Sequence, residues 1–138
     1  MTIQDTFDFI KDQKLAVIST VDENSIPESA VVEFGEYGEF NIVIDTFTHS
    51  RKYKNLLANN EAAFVIGWDD DITIQINATA HLLNDEELKQ AKESYFAKNP
   101  RAKKWDNRDE VVYFGFKPKW IRYSDVGMNP WHIEEFEL

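Results

Sequence analysis

Residues 72 to 82 read Ile72-Thr73-Ile74-Gln75-Ile76-Asn77-Ala78-Thr79-Ala80-His81-Leu82. Ile72, Ile74, Ile76, Ala78, Ala80 and Leu82 fall on one side, and Thr73, Gln75, Asn77, Thr79 and His81 on the other. This period of two is that of a β-strand with one face on a core and the other on water, a partner or a ligand. Just upstream, Ala62 to Trp68 is dense in apolar residues. The acidic turn Asp69-Asp70-Asp71 joins the two runs, so a hairpin is expected here.

Working outward, Leu15 to Val21 is apolar and β-branched, and Asp22-Glu23-Asn24-Ser25 and Pro27 make a turn. Glu28 to Glu36 and Phe40 to Asp45 complete a meander punctuated at Tyr37-Gly38. Downstream, Val111 to Phe116 and Trp120 to Tyr123 read as two strands separated by Pro118, a residue that removes a ladder donor. Three helices interleave. In Thr2 to Lys14, Ile3, Phe7 and Ile10 share a face, and Thr2 with Asp5 resembles a capping box. Ser50 to Asn60 carries Tyr53, Leu56 and Leu57 on one stripe. The third helix runs from Asp85 to about Asn99, with Asn84 as its cap and Pro100 as its stop. Ala102 to Glu110 reads as a charged loop. The tail from Val126 to Leu138 holds Trp131, His132 and Phe136, too apolar to stay free of the body. Seven short strands with flanking helices predict a mainly β fold, a small closed antiparallel barrel, because closure removes exposed strand edges.

The 138 residues form a single domain by length, residues 1–138. With 25 acidic and 15 basic residues the net charge is −10. Nucleic acid is not an expected partner, since counterion release needs clustered cations. A membrane is not expected either, because no apolar run approaches the roughly 18 residues that a span requires. There is no cysteine, which excludes disulfides and thiolate chemistry. The chain reads as a soluble cytoplasmic protein.

Against this acidic background Thr46-Phe47-Thr48-His49-Ser50-Arg51-Lys52-Tyr53-Lys54 stands out. Arg51, Lys52 and Lys54 lie at the start of a helix, the end where the macrodipole is already positive. Free N–H groups, hydroxyls and cations together make a site for an anion, a phosphate above all. Thr46 and Ser50 would offer hydroxyls, Arg51 a bidentate fork and Lys52 a point charge. On spacing alone, a solvated helix start whose cations pair with nearby carboxylates is the slightly better reading. Gln75 and Asn77 suit an ordinary solvent face, or a ligand held at the barrel mouth. Trp105, Trp120 and Trp131 suit core or interface packing at least as well as stacking on a planar ligand. His49, His81 and His132 are scattered, so no metal site is expected. No residue stands out as a catalytic acid, base or nucleophile.

The order of elements, with Thr46-x-x-x-Ser50-Arg51-Lys52 before a helix and an apolar strand, resembles the pyridoxamine 5′-phosphate oxidase-like family of FMN-binding split β-barrels. The small general-stress-protein branch is the nearest in pattern. The resemblance runs from Leu15 to Val21 through the Gln75 strand, Tyr95-Phe96 and the closing strand at Trp120. It implies FMN as cofactor, with its phosphate on Thr46, Ser50, Arg51 and Lys52, Gln75 reaching the flavin or ribityl chain, and Val31, Val32 and Glu33 beside the ring. It also implies a homodimer with the flavin between subunits, and an oxidoreductase acting on a small-molecule substrate or electron donor. Family oxidases carry an Arg and a Lys on the second strand; here Ser29 to Gly35 holds neither. Their substrate-phosphate triple is represented by Tyr95, Asn99 and Lys103. A true pyridoxamine phosphate oxidase is therefore not expected. The alternative is a non-enzymatic stress or binding protein on the same scaffold, with weak, absent or deazaflavin-type cofactor binding. A metal-dependent hydrolase would need the histidines to converge.

Overall fold

The computed structural model describes residues Met1–Leu138. The chain runs α1 (Ile3–Lys11), β1 (Leu15–Val21), β2 (Pro27–Glu33), β3 (Gly35–Tyr37), β4 (Asn41–Phe47), α2 (Arg51–Ala58), β5 (Glu61–Ile66), β6 (Ile72–Leu82), α3 (Asp85–Lys98), a 3₁₀ helix (Pro100–Trp105), β7 (Val111–Asp125) and β8 (His132–Glu137). The expected capping box forms: Thr2 Oγ1 accepts from the Asp5 N–H at 3.1 Å, and the Asp5 carboxylate accepts from the Thr2 N–H at 2.7 Å. Asn84 holds the N-cap position of α3 but makes no side-chain capping bond.

All strands join one antiparallel sheet with the paired order β2-β1-β5-β6-β7-β4-β3, and β8 adds to β7. The sheet curls into a split barrel. Its two ends, β2 and β3, follow each other in the chain through Phe34 and share no ladder, so a seam runs between them. Inside, Ile18, Phe64, Ile74, Ile76, Phe114, Phe116, Ile42 and Ile44 are buried as the alternation requires. α1 closes one end through Phe7 and Ile10, and α2 adds Leu56 and Tyr53. α3 packs outside the barrel, where Tyr95 and Ala91 meet Tyr37, Val43 and Tyr113 in a second cluster. That approach depends on Gly35: a Cβ there would lie 3.0 Å from the Tyr95 Cα.

Four expectations need correction. Val111 to Phe116 and Trp120 to Tyr123 are one strand, β7, because a bulge absorbs Pro118. Its pairing with β6 shifts between Asn77, opposite Trp120, and Ala78, opposite Pro118, leaving Lys119 as the extra residue. The tail is itself a strand, β8, on the edge of β7, and the expected Glu28–Glu36 strand breaks at Phe34 into β2 and β3, so there are eight strands rather than seven. Pro100 ends α3 but also starts a 3₁₀ helix inside the expected loop, at the first-turn position where a missing N–H costs nothing.

The C-terminal end of α3 clamps the seam. Lys98 Nζ lies 3.7 Å from the centroid of the Phe34 ring and pairs with Glu36. Asn99 Nδ2 donates to the Phe34 carbonyl at 2.8 Å and to the Tyr95 carbonyl at 3.2 Å. Burial pushes the Glu36 carboxyl up and the Lys98 amine down, while their mutual contact opposes both changes.

Candidate functional site

A cavity of about 400 Å³ opens at the seam. The β2 edge gives it Val31, Val32 and Glu33. The end of β4 gives Asp45, Thr46 and Phe47, α2 gives Lys52, and the 3₁₀ helix gives Arg101, Ala102, Lys104 and Trp105, with Tyr95 and Val111 completing the wall. The volume falls in the range of small-molecule sites, and the lining is about evenly apolar and polar, with Glu33, Asp45, Lys52, Arg101 and Lys104 bringing both signs of charge.

The β4–α2 turn is built by its own hydroxyls. Ser50 caps α2, accepting from the Tyr53 N–H at 3.2 Å, and its oxygen lies 2.8 Å from Thr46 Oγ1. Thr46 and Lys52 line the cavity, and Ser50 stands directly behind Thr46. Lys52 is half-buried and forms no ion pair. Burial holds its amine below the ordinary 10.5, with Asp45 pulling the other way. An unpaired, partly desolvated cation gains most when an anion arrives.

Arg51 behaves differently. Its guanidinium bonds Glu28 at 2.9 Å, on a side of α2 away from the cavity, and Glu28 also accepts from the buried Asn55 at 2.8 Å. The expected Arg51–Lys52 pair is thus split: Lys52 faces the cavity and Arg51 faces Glu28. Gln75 is also off this site. It is exposed on the outer sheet face, and the strand register places it in a row with Val65, Val17 and Val31. Three strand spacings of about 4.8 Å each separate its backbone from β2. Asn99 is buried in the seam clamp and Lys103 does not line the cavity, so of the Tyr95, Asn99 and Lys103 positions only Tyr95 does.

The floor is a carboxyl–phenol pair. Tyr95 Oη donates to Asp45 Oδ1 at 2.9 Å. Burial raises the Asp45 carboxyl above the ordinary 3.8, despite the Tyr95 bond, and burial with the Asp45 charge pushes the Tyr95 phenol far up. A carboxyl that holds its proton more tightly folded than unfolded favours folding below pH 3.8, and that contribution is lost as pH rises through the raised value. Asp45→Asn keeps an acceptor for Tyr95 and removes the charge. The variant is expected to melt at or above the wild-type temperature at pH 7, with a flatter stability profile between pH 4 and 7, by thermal scans at each pH. Asp45→Ala strands the Tyr95 hydroxyl and should cost about 1–3 kcal/mol.

The histidines do not converge. His49 stacks on Phe47, His81 meets Glu87 and His132 meets Glu134; no group of three or more His, Asp or Glu is placed to hold a metal. No helix is long and apolar enough to cross a membrane.

Sequence reading missed Asp45, Arg101 and Lys104 as cavity residues. The available signal was Pro100, which starts a 3₁₀ turn as readily as it stops a helix. In a 3₁₀ helix positions i and i+3 eclipse, so Arg101 and Lys104 stand on one face while Ala102 is buried.

Fold and cavity together define a split β-barrel with a cavity at its seam. The chain belongs to the pyridoxamine 5′-phosphate oxidase family, whose model matches residues 4–125. Solved structures agree on the fold. The General Stress Protein 26 from Bacillus anthracis is similar over 100% of both chains, at 24% identity and a TM-score of 0.75. A heme binding protein from Mycobacterium smegmatis matches at 15% identity and a TM-score of 0.79, over 91% of this chain and 53% of its own length. This chain therefore spans about half of that protein. A pyridoxamine 5′-phosphate oxidase-related, FMN binding protein from Nostoc punctiforme matches at 11% identity and a TM-score of 0.64, over 91% of this chain and 87% of that one. No curated protein matches the chain.

Proposed function

We propose that the chain is an FMN-binding flavoprotein, an oxidoreductase acting on a small substrate other than pyridoxamine phosphate. The observation that carries this reading is the cavity itself. An unpaired half-buried Lys52 and the Thr46 hydroxyl stand at one end, and the Val31–Val32 edge and the Trp105 ring form walls for a planar body. These residues fit FMN: Lys52 and Thr46 suit its phosphate, with Ser50 orienting Thr46, and the apolar walls suit its ring. FMN would supply hydride and electron transfer at the flavin ring. The protein residues hold the phosphate, exclude water from the ring and keep the Tyr95 O–H directed at Asp45.

Gln75 joins such a site only from a second copy. Its outer face carries Val17, Val31 and Val65, with Val31 and Val65 both exposed, and a homodimer through this face brings the Gln75 of one subunit toward the seam of the other. The alternative, a stress or binding protein with weak or different cofactor binding, is favoured by one observation: Glu28 already neutralises Arg51. Haem suits the cavity less well, since its lining holds no His or Met and its one Tyr is bonded to Asp45. Titration of the purified protein with FMN, followed by flavin fluorescence, tests the proposal. Saturable binding at micromolar concentrations or tighter is expected; an absence of binding at hundreds of micromolar sinks it.

A further inference from the structure

Behind the cavity wall, α3, β4 and β7 bring together two tyrosines in a way that ligand binding leaves unused. Asp45 on β4 and Tyr113 on β7 are opposite each other in the ladder, and Tyr95 on α3 packs in the same cluster as Tyr113. The Tyr95 and Tyr113 rings meet edge to face, with centroids 6.2 Å apart and planes at 80°. Phe96 packs on both, at 5.9 and 6.2 Å. Each phenol donates to its own carboxylate, Tyr95 to Asp45 at 2.9 Å and Tyr113 to Asp106 at 2.8 Å. The other tyrosines differ: Tyr37 reaches Glu87 only at 3.4 Å, and the Tyr123 ring meets Phe9 and His132 with no carboxylate on its hydroxyl. Tyr95 lines the cavity although it is 1% exposed, and Tyr113 is 5% exposed. Asp106 reaches the surface, its side chain 28% exposed, and Lys92 Nζ fixes it there at 2.7 Å. The run therefore leads from the cavity through two rings to solvent.

A phenol gives up an electron readily only if its proton leaves too, because the oxidised phenol is a very strong acid. Burial pushes both phenols far above the ordinary 10.0, so neither ionises beforehand. The bonded carboxylate is where each proton can go. We propose that Tyr95 and Tyr113 form a two-step relay that carries an oxidising equivalent out of the seam cavity to the surface at Asp106. A one-electron oxidant in the cavity, an oxygen-derived or organic radical, takes an electron from Tyr95 while the phenolic proton crosses to Asp45. Tyr113 then reduces the Tyr95 radical, which recovers its proton from Asp45, and the Tyr113 proton crosses to Asp106. A soluble one-electron reductant of the thiol or ascorbate class reduces Tyr113 at the surface, and Asp106 returns the proton. The oxidant gains one electron, the soluble reductant loses one, and both tyrosines end as they began. The relay spares the cavity and any molecule in it from oxidation. It needs an oxidant there rather than a flavin in particular, so it goes beyond the cofactor reading.

Azidyl radicals made by pulse radiolysis of the ligand-free protein, at mildly alkaline pH, supply the oxidant. They oxidise tryptophan first, and Trp105 lines the same cavity as Tyr95. Transient absorbance is expected to show a tyrosyl radical growing as the tryptophanyl signal decays. Y95F/Y113F should lose most of that tyrosyl signal, whereas Y123F should keep it. Added ascorbate should quench the wild-type radical at the surface. In Y113F, and in D106N, which keeps a hydrogen-bond acceptor but removes the base, the radical stays on Tyr95 and quenching should slow by about tenfold or more. An undiminished tyrosyl signal in Y95F/Y113F overturns the relay, as does an equal loss in Y123F or unchanged ascorbate quenching in Y113F and D106N. If the double variant does not fold, D106N decides alone, since its side chain is partly exposed. The result is independent of FMN binding, so failure of the relay and failure of the cofactor reading are read separately.

Discussion

Lys52→Gln is expected to weaken FMN binding by roughly 10- to 100-fold, the cost of losing a charge-assisted contact and leaving a phosphate oxygen unpaired. Arg51→Gln is expected to cost no more than about threefold, because Arg51 must first leave Glu28, bonded at 2.9 Å, before it can serve a ligand. Two neighbouring cations at one helix start are thus expected to differ by an order of magnitude. Fluorescence titrations of both variants at one ionic strength decide the matter, since exposed charges are screened within about 10 Å at 0.1 M salt. A pH series adds a second readout. Burial holds the Lys52 amine below 10.5, so its charge, and with it phosphate affinity, should fade on the alkaline side before an ordinary lysine would titrate. If Arg51→Gln loses as much affinity as Lys52→Gln, Arg51 swings off Glu28 to the ligand and the assignment of the phosphate grip to Lys52 alone fails.

The second large effect concerns stability. Phe34 is fully buried at the junction of β2 and β3, its carbonyl bonded by Asn99 and its ring under Lys98. Phe34→Ala removes a core ring and leaves a void at the one place where the sheet has no ladder. It should cost about 3–5 kcal/mol, by the usual sum of transfer and cavity effects. Phe34→Leu, closer in volume, should cost about 1.5 kcal/mol or less. Urea unfolding of both variants gives these values directly. A loss under about 1 kcal/mol for the alanine variant would mean that the seam is held by the Asn99 and Lys98 contacts rather than by the ring.

Local pattern carried much of the fold. β1 at Leu15–Val21 and β6 at Ile72–Leu82 match their expected bounds residue for residue, because alternation is a property of the segment itself. Interactions distant in sequence carried the rest. Pro118 looks like a strand break until its partner is known; opposite Ala78, beside an extra Lys119, it is tolerated. The segment His132–Glu137 has three glutamates and little propensity of its own, yet it pairs with β7 from Asp125 back to Trp120. The site shows the same division. Thr46 and Lys52, singled out by the hydroxyl-and-cation turn before a helix, line the cavity, and Ser50 stands behind Thr46. Nothing local to Arg51 announces Glu28, which lies on another strand and takes the guanidinium. Arg101 and Lys104 became visible only when the 3₁₀ geometry put them on one face.

The seam has a thermodynamic side. Because β2 joins neither β3 nor β4 by a ladder, a molecule seated in the cavity would touch the free β2 edge and the end of β4 together and serve as a removable rivet. Occupancy and foldedness are then linked quantities: a ligand present at about 100 times its dissociation constant adds about 2.7 kcal/mol to unfolding. A barrel closed by its own ladder would carry that reinforcement permanently; this one would gain it only while a molecule fills the seam.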